Sequence, residues 1–200
     1  MITFGILASH QGSNTRAVVE ACSQGRLDGQ VGVIISNNAK SGVLRFAEEQ
    51  GIASRRIGGS RYSDAGVRDA AILETLREHG VQVVLLLGYM KLLGPRTVAA
   101  YRGRILDTHP ALLPKFGGQG MYGDRVHAAV LEAGERETGV TVHLVDEIYD
   151  HGAVLAQHSV AVHPGDTVES LKERVMTRER AFLVQTLQCV ATGELALEGL

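Results

Sequence analysis

The sequence predicts an α/β fold: a mostly parallel central sheet with helices on both faces and an antiparallel strand pair towards the C-terminus. Apolar runs without helical period alternate with helix-like segments from Ile2 to Asp107. One of these runs, VQVVLLL over 81–87, is apolar almost throughout, as a strand covered on both sides must be. Near the end, two strand-like runs follow each other across a short polar turn, which a two-strand antiparallel pair allows. The 200 residues are 44% hydrophobic and 21% charged, enough apolar material for one domain spanning 1–200.

The elements follow in order. Ile2 to Ala8 reads as a strand, Ser9-His10-Gln11-Gly12-Ser13-Asn14 as a turn, and a helix begins near Thr15. Val31 to Ile35 is a strand, Ser41 to Gln50 a helix, and Ile52 to Ile57 a short strand. Asp64 to His79 is a helix closed by Gly80, before the strand Val81 to Leu87. A short helix from Pro95 to Tyr101 and a strand from Arg104 to Asp107 lead into THPALLPKFGGQGMYGDR, the one long irregular stretch. Its aromatic and basic residues suit a loop that covers substrate, and the bland alternative is a mobile loop. A helix from Val126 to Ala133 and strands Gly139 to Val145 and Ala153 to Val162 follow. Asp166 and Glu169 have capping-box spacing ahead of a long helix whose apolar stripe is Leu171, Val175, Phe182 and Leu187.

Lys and Arg number 20 against 22 Asp and Glu, a formal net charge of −2. No basic excess is present to hold a nucleic-acid backbone. Cys22 and Cys189 form no CxxC or Cys/His cluster and read as two reduced, buried thiols. The opening apolar run follows no basic segment and is too short to span a bilayer, and no later stretch approaches that length. A cytoplasmic chain acting away from membranes is the expectation.

Three places could carry chemistry. Gly12-Ser13-Asn14 opens the first helix, where free N–H groups and the helix dipole suit a phosphate, although a plain helix cap fits the same residues. The glycine spacing of a dinucleotide fingerprint is missing. His109, after a predicted strand end and before Pro110, could move protons or could be a structural hydrogen-bonding residue. Asp150, in the polar turn between the last two strands, could orient His109 and raise its pKa, or be an ordinary turn residue. His143 reads as a core histidine in an alternating strand. His109, His143, Asp150 and His151 match no standard metal-ligand spacing.

Taken together, LASHQGSNTRAVVEA, IISNNAKSGVLRFAEEQGI, VVLLLGYMKLLGP, LDTHPALLPKF, TGVTVHLVDEIYDHGAVLAQ and RVMTRERAFL resemble the glycinamide ribonucleotide (GAR) formyltransferase family. The resemblance covers nearly the whole chain. It implies a Rossmann-like formyltransferase fold that moves a formyl group from 10-formyltetrahydrofolate to the amine of GAR in purine biosynthesis, with no metal. It implies that Gly12, Ser13 and Asn14 hold the GAR phosphate, that Glu179 binds the ribose hydroxyls, and that Gly88 contacts the glycinamide end. Tyr89, Met90, Lys91, Leu92 and Leu93 would wall the folate site with Val145, Asp146, Glu147 and the segment up to Asp150. His109 and Asp150 match the family's catalytic His and Asp, so that a protonated His109 would stabilise the formyl oxyanion. His127 matches a loop histidine. The partners implied are small molecules, and the assembly a monomer or homodimer.

One departure bears on the chemistry. The family has Asn where this chain has Asp107, and an ionised Asp107 cannot donate to the formyl oxygen. Losing one such donor costs about two to three orders of magnitude in rate. Either Asp107 stays protonated, or the chain is impaired, or it has another activity on the same scaffold; the expectation is an impaired enzyme that Asp107→Asn would speed. Lys91 and His151 stand where the family often has Arg and Gly. A basic residue near the phosphate, around 63–66, is absent, leaving Arg61 or Arg68 to substitute. The alternatives are a 10-formyltetrahydrofolate hydrolase, or a noncatalytic folate- or nucleotide-binding protein.

Overall fold

The computed structural model describes residues 1–200. Seven strands form one sheet: β1 Ile2–Leu7, β2 Gly29–Ser36, β3 Ser54–Arg56, β4 Val83–Leu86, β5 Ile105–His109, β6 Glu137–Leu144 and β7 Val154–Ala161. Six helices accompany them: α1 Ser13–Ser23, α2 Gly42–Glu49, α3 Ala65–Glu78, α4 Pro95–Ala100, α5 Asp124–Glu132 and α6 Val168–Ala191. The strand order is β3-β2-β1-β4-β5-β6-β7. The first five strands run parallel; β6 lies antiparallel to β5, and β7 antiparallel to β6.

Alternation along the central strands builds two cores. Phe4 and Ile6 of β1 with Val83 and Leu85 of β4 face α1 and α6, where Val18, Leu183 and Leu187 close over them. Leu7, Val84 and Leu86 face the other way, towards Ile72 and Leu76 of α3 and Val98 of α4. A smaller cluster of Val130, Val140, Val160, Leu171 and Val175 joins α5, α6 and the antiparallel strands. Gly5 has no side chain because a Cβ there would lie 2.6 Å from Leu76 of α3. The strand order reverses direction between β1 and β4, and the carboxyl ends of strands at such a switch point are where a doubly wound sheet leaves a crevice.

Several boundaries differ from the sequence expectation. β3 keeps only three residues because it is an exposed edge strand paired to β2 alone. β5 continues through His109, which pairs with Thr141 of β6 instead of following the strand. The cap of α6 is Thr167 with Ser170, one residue beyond the expected Asp166 and Glu169. Asp166 is held away from the helix amides by Arg174, at 2.7 and 2.8 Å. Cys22 and Cys189 are free and only half-buried, since each lies on the flank of its helix.

Candidate active site

α1 starts without a side-chain cap. Its N-cap Gly12 adopts φ 73°, a left-handed conformation that glycine reaches without strain. The first helical bond runs from Arg16 N to Gly12 O, so the amides of Ser13 and Asn14 keep no backbone acceptor. The capping role that Ser13 or Asn14 could have played is therefore not taken up. Asn14 instead donates its Nδ2 to Glu179 Oε1 at 2.9 Å, and Thr108 Oγ1 donates to the same oxygen at 2.6 Å. Glu179 is 8% exposed, and burial holds its carboxyl above the usual range.

The second group gathers at the end of β5. His109 is 4% exposed; its Nε2 donates to Phe116 O at 2.7 Å and its Nδ1 faces Asp150 Oδ2 at 3.5 Å. Asp150 takes φ 55° in the β6–β7 turn, and that turn aims its carboxylate back at the sheet. Its Oδ2 also accepts from Gly118 N at 2.8 Å, which ties the turn to the glycine-rich segment. His143, opposite Asp107 in the β5–β6 ladder, donates Nδ1–H to Leu144 O at 2.8 Å. Its buried Nε2 lies 3.7 Å from Asp150 Oδ1 and has no hydrogen-bond partner.

Asp107, His143 and Asp150 bring one oxygen, one ring nitrogen and one oxygen within 4.8 Å of one another. Burial, then the neighbouring Asp150 and Glu179 charges, raises the Asp107 carboxyl well above the carboxylate range. The Thr108 amide, which donates to Asp107 Oδ1 at 2.7 Å, opposes this only in part. The direction favours the acid form of Asp107 over an ordinary exposed carboxylate.

His109 goes the other way. Burial pulls its pKa below the ordinary histidine value and outweighs the Asp150 charge and the Phe116 carbonyl, so the imidazole rests neutral. The expected rise of His109 under the influence of Asp150 is corrected here. His151 turns outwards onto Asp146, at 2.9 Å, and leaves the cluster.

One cavity of about 650 Å³ runs from the start of α1 to His109, while Asp107, His143 and Asp150 stand behind His109 and outside its lining. Gly12, Ser13 and Asn14 form one wall, Thr108 and His109 another, and Met121 to Gly123 of the glycine-rich segment a third. A larger open groove of about 850 Å³ beside α2 shares only Gln11 with it and holds neither histidine nor Asp150.

Residues 3–187 match the family model described as formyl transferase. The chain belongs to the formyl transferase family. It is 40% identical over 186 residues to the chloroplastic phosphoribosylglycinamide formyltransferase of Arabidopsis thaliana, covering 92% of this chain and 64% of that protein. The chain thus spans somewhat less than two thirds of this plant relative's length. The Escherichia coli K12 phosphoribosylglycinamide formyltransferase is 33% identical, with 96% of this chain and 88% of that protein covered. Glycinamide ribonucleotide transformylase 1 of Symbiobacterium toebii superposes with a TM-score of 0.91 at 36% identity, over 100% of this chain and 92% of that one.

Within this formyltransferase fold the residues expected around folate divide. Gly88 (φ 73°) and Met90 line the cavity. Tyr89, Leu93 and Val145 are half-buried against the α3 side of the sheet, Lys91, Leu92 and Glu147 are exposed, and Asp146 is engaged with His151 and the Ile148 amide. None of these seven lines the 650 Å³ cavity.

Arg61 and Arg68 also stay outside the cavity: Arg61 lies over the Tyr62 ring and Arg68 reaches the Tyr62 carbonyl. The formyltransferase cavity contains residues that sequence reasoning passed over, among them Thr108, Tyr122, Lys172 and Met176. Lys172, Met176 and Glu179 stand at i, i+4 and i+7 on α6, a spacing that could have flagged the first two once Glu179 was suspected.

Proposed function

We propose that the chain transfers a formyl group from 10-formyltetrahydrofolate to the amine of glycinamide ribonucleotide. The observation that carries this is the meeting of Asp107, His109 and Asp150 at the end of β5, beside a cavity that His109 lines and whose far wall is the uncapped start of α1. The two substrates are small molecules, and the reading goes with a cytoplasmic monomer or homodimer.

The proposed chemistry takes Asp107 as the acid and His109 as the neutral base, the forms that their raised and lowered pKa values favour. As the amine nitrogen bonds to the formyl carbon, the carbonyl electron pair moves onto oxygen, and Asp107 in its acid form donates a hydrogen bond to that oxygen. It thereby does what the Asn amide of the family would do. His109 is neutral, with Nε2–H held by the Phe116 carbonyl, so Nδ1 has a lone pair for the proton of the attacking nitrogen. Asp150 then faces an imidazolium and stabilises it. His109 returns the proton to the folate nitrogen as the carbon–nitrogen bond to the donor breaks, giving formyl-GAR and tetrahydrofolate. Glu179 and the α1 amides hold the ribose and phosphate ends.

The test mixes purified protein with 10-formyltetrahydrofolate and GAR, follows folate product by absorbance, and repeats the run without GAR. GAR-dependent turnover is expected. Turnover without GAR would replace the reading with a hydrolase, and no turnover in either run would leave a binding protein.

A further inference from the structure

Lys172 is the one Lys or Arg among the residues lining the 650 Å³ cavity, whose other polar lining is histidines, Glu179 and neutral groups such as Gln11, Ser13, Asn14 and Thr108. It projects from α6 one turn before Met176 and two turns before Glu179, on the face turned to the start of α1. Its Nζ sits 2.7 Å from Asp124 Oδ1. Asp124 is the first residue of α5, directly after Met121, Tyr122 and Gly123 of the cavity wall.

Both partners of this pair are open to water, with side chains 41% and 67% exposed. Pairs of that kind hold weakly. A phosphate monoester carries about −1.5 to −2 charges at neutral pH and three acceptor oxygens, against the single charge of a carboxylate. Placed on the Ser13 and Asn14 amides, it would share the cavity with Lys172 and compete with Asp124 for it.

We infer that Lys172 is the specificity residue for the substrate's phosphate, and that it reaches the phosphate by exchanging its partner Asp124. This rests on the formyltransferase reading of the cavity and deepens it. Arg61 and Arg68, the sequence-level candidates for this role, face Tyr62 instead. The exchange also sets a cost on binding: Asp124 loses its partner when the phosphate arrives, so the acidic first turn of α5 opposes every phosphorylated ligand.

The experiment is calorimetric titration, without folate, of wild type, Lys172→Met, Lys172→Arg, Asp124→Asn and the Met/Asn double variant. The titrants are GAR, its dephosphorylated nucleoside and ribose 5-phosphate. The expected result is that the preference for GAR over the nucleoside falls about tenfold or more in Lys172→Met and is rescued by Lys172→Arg. Asp124→Asn is expected to tighten GAR about two- to threefold, a gain that vanishes in the Lys172→Met background.

An unchanged preference in Lys172→Met, or an Asp124→Asn gain that survives there, overturns the inference and leaves the formyltransferase reading standing. Failure of GAR to bind while ribose 5-phosphate binds in a Lys172-dependent way overturns that reading and keeps Lys172 as a phosphate residue. If no phosphorylated ligand binds wild type, both fall.

Discussion

At residue scale the protein turns on one carboxyl group. Desolvation and the facing Asp150 and Glu179 charges raise the Asp107 carboxyl, which favours its acid form over that of an exposed Asp. The rate gain expected for Asp107→Asn is accordingly confined to pH above the Asp107 pKa. There the wild type loses its donor and the Asn form keeps it, with a gap of up to about two to three orders of magnitude. Below that pKa the two rates should converge. A kcat/KM profile of both proteins checks this: wild type falls on the alkaline side and Asp107→Asn does not.

The acid side belongs to His109, whose pKa is lowered, so activity should rise with pH through a point below 6.5 in both proteins. Stability follows Asp107. An acid with a raised folded-state pKa binds more protons folded than unfolded, so it loses stability as pH rises from about 3.9 to the folded pKa. Thermal melts should show Asp107→Asn more stable than wild type at pH 8, with the difference narrowing towards pH 4.

At the scale of elements, the start of α1 is built on a glycine that no other residue replaces easily. An Ala at Gly12 would keep φ 73° at a cost and put its Cβ 2.6 Å from Val43 Cγ2 of α2. The expected loss is about 2 kcal/mol or more, a melting point lower by on the order of 5 °C, together with weaker phosphate binding. Gly25, with φ 68° and nothing within 4 Å, separates the two causes. Gly25→Ala should cost only the backbone strain, about 1 kcal/mol, and leave ligand binding intact. Melts and titrations of the two variants side by side decide it.

Much at this scale was legible in the sequence. Sequence patterning placed all seven strands with each end within two residues, and Asp64 and Gly80 bracketed α3, where Asp64 Oδ1 accepts from Val67 N at 2.8 Å. The misplaced cap of α6 shows the limit of spacing alone. Asp166 and Glu169 satisfy the pattern as well as Thr167 and Ser170 do, and only the reach of Arg174 to Asp166 removes the former.

At the scale of the molecule, the sheet order puts β1, β4 and β5 at the centre, covered on both faces, while β3 and β7 are edges. Hydrogen exchange should therefore be slowest for amides of β1 and β4, opening only with global unfolding, and fastest along residues 110–123. Mass-spectrometric exchange that found β3 as protected as β4 would contradict that hierarchy. The same arrangement sets the site: the antiparallel return of β6 brings His143 opposite Asp107, and the β6–β7 turn brings Asp150 to His109 across 41 residues of sequence.

The sequence by itself determined the fold class, because periodicity and glycine positions are local properties; it left the α1 start open between anion site and plain cap, and reached the pairing of His109 with Asp150 only through the family resemblance. Tertiary structure decided how those groups are tuned and which cation lines the cavity. Asp107 is raised, His109 is lowered and Lys172 lines the cavity where Arg61 and Arg68 do not, because desolvation and Coulomb energy depend on distances between elements, and no spacing along the chain encodes those distances.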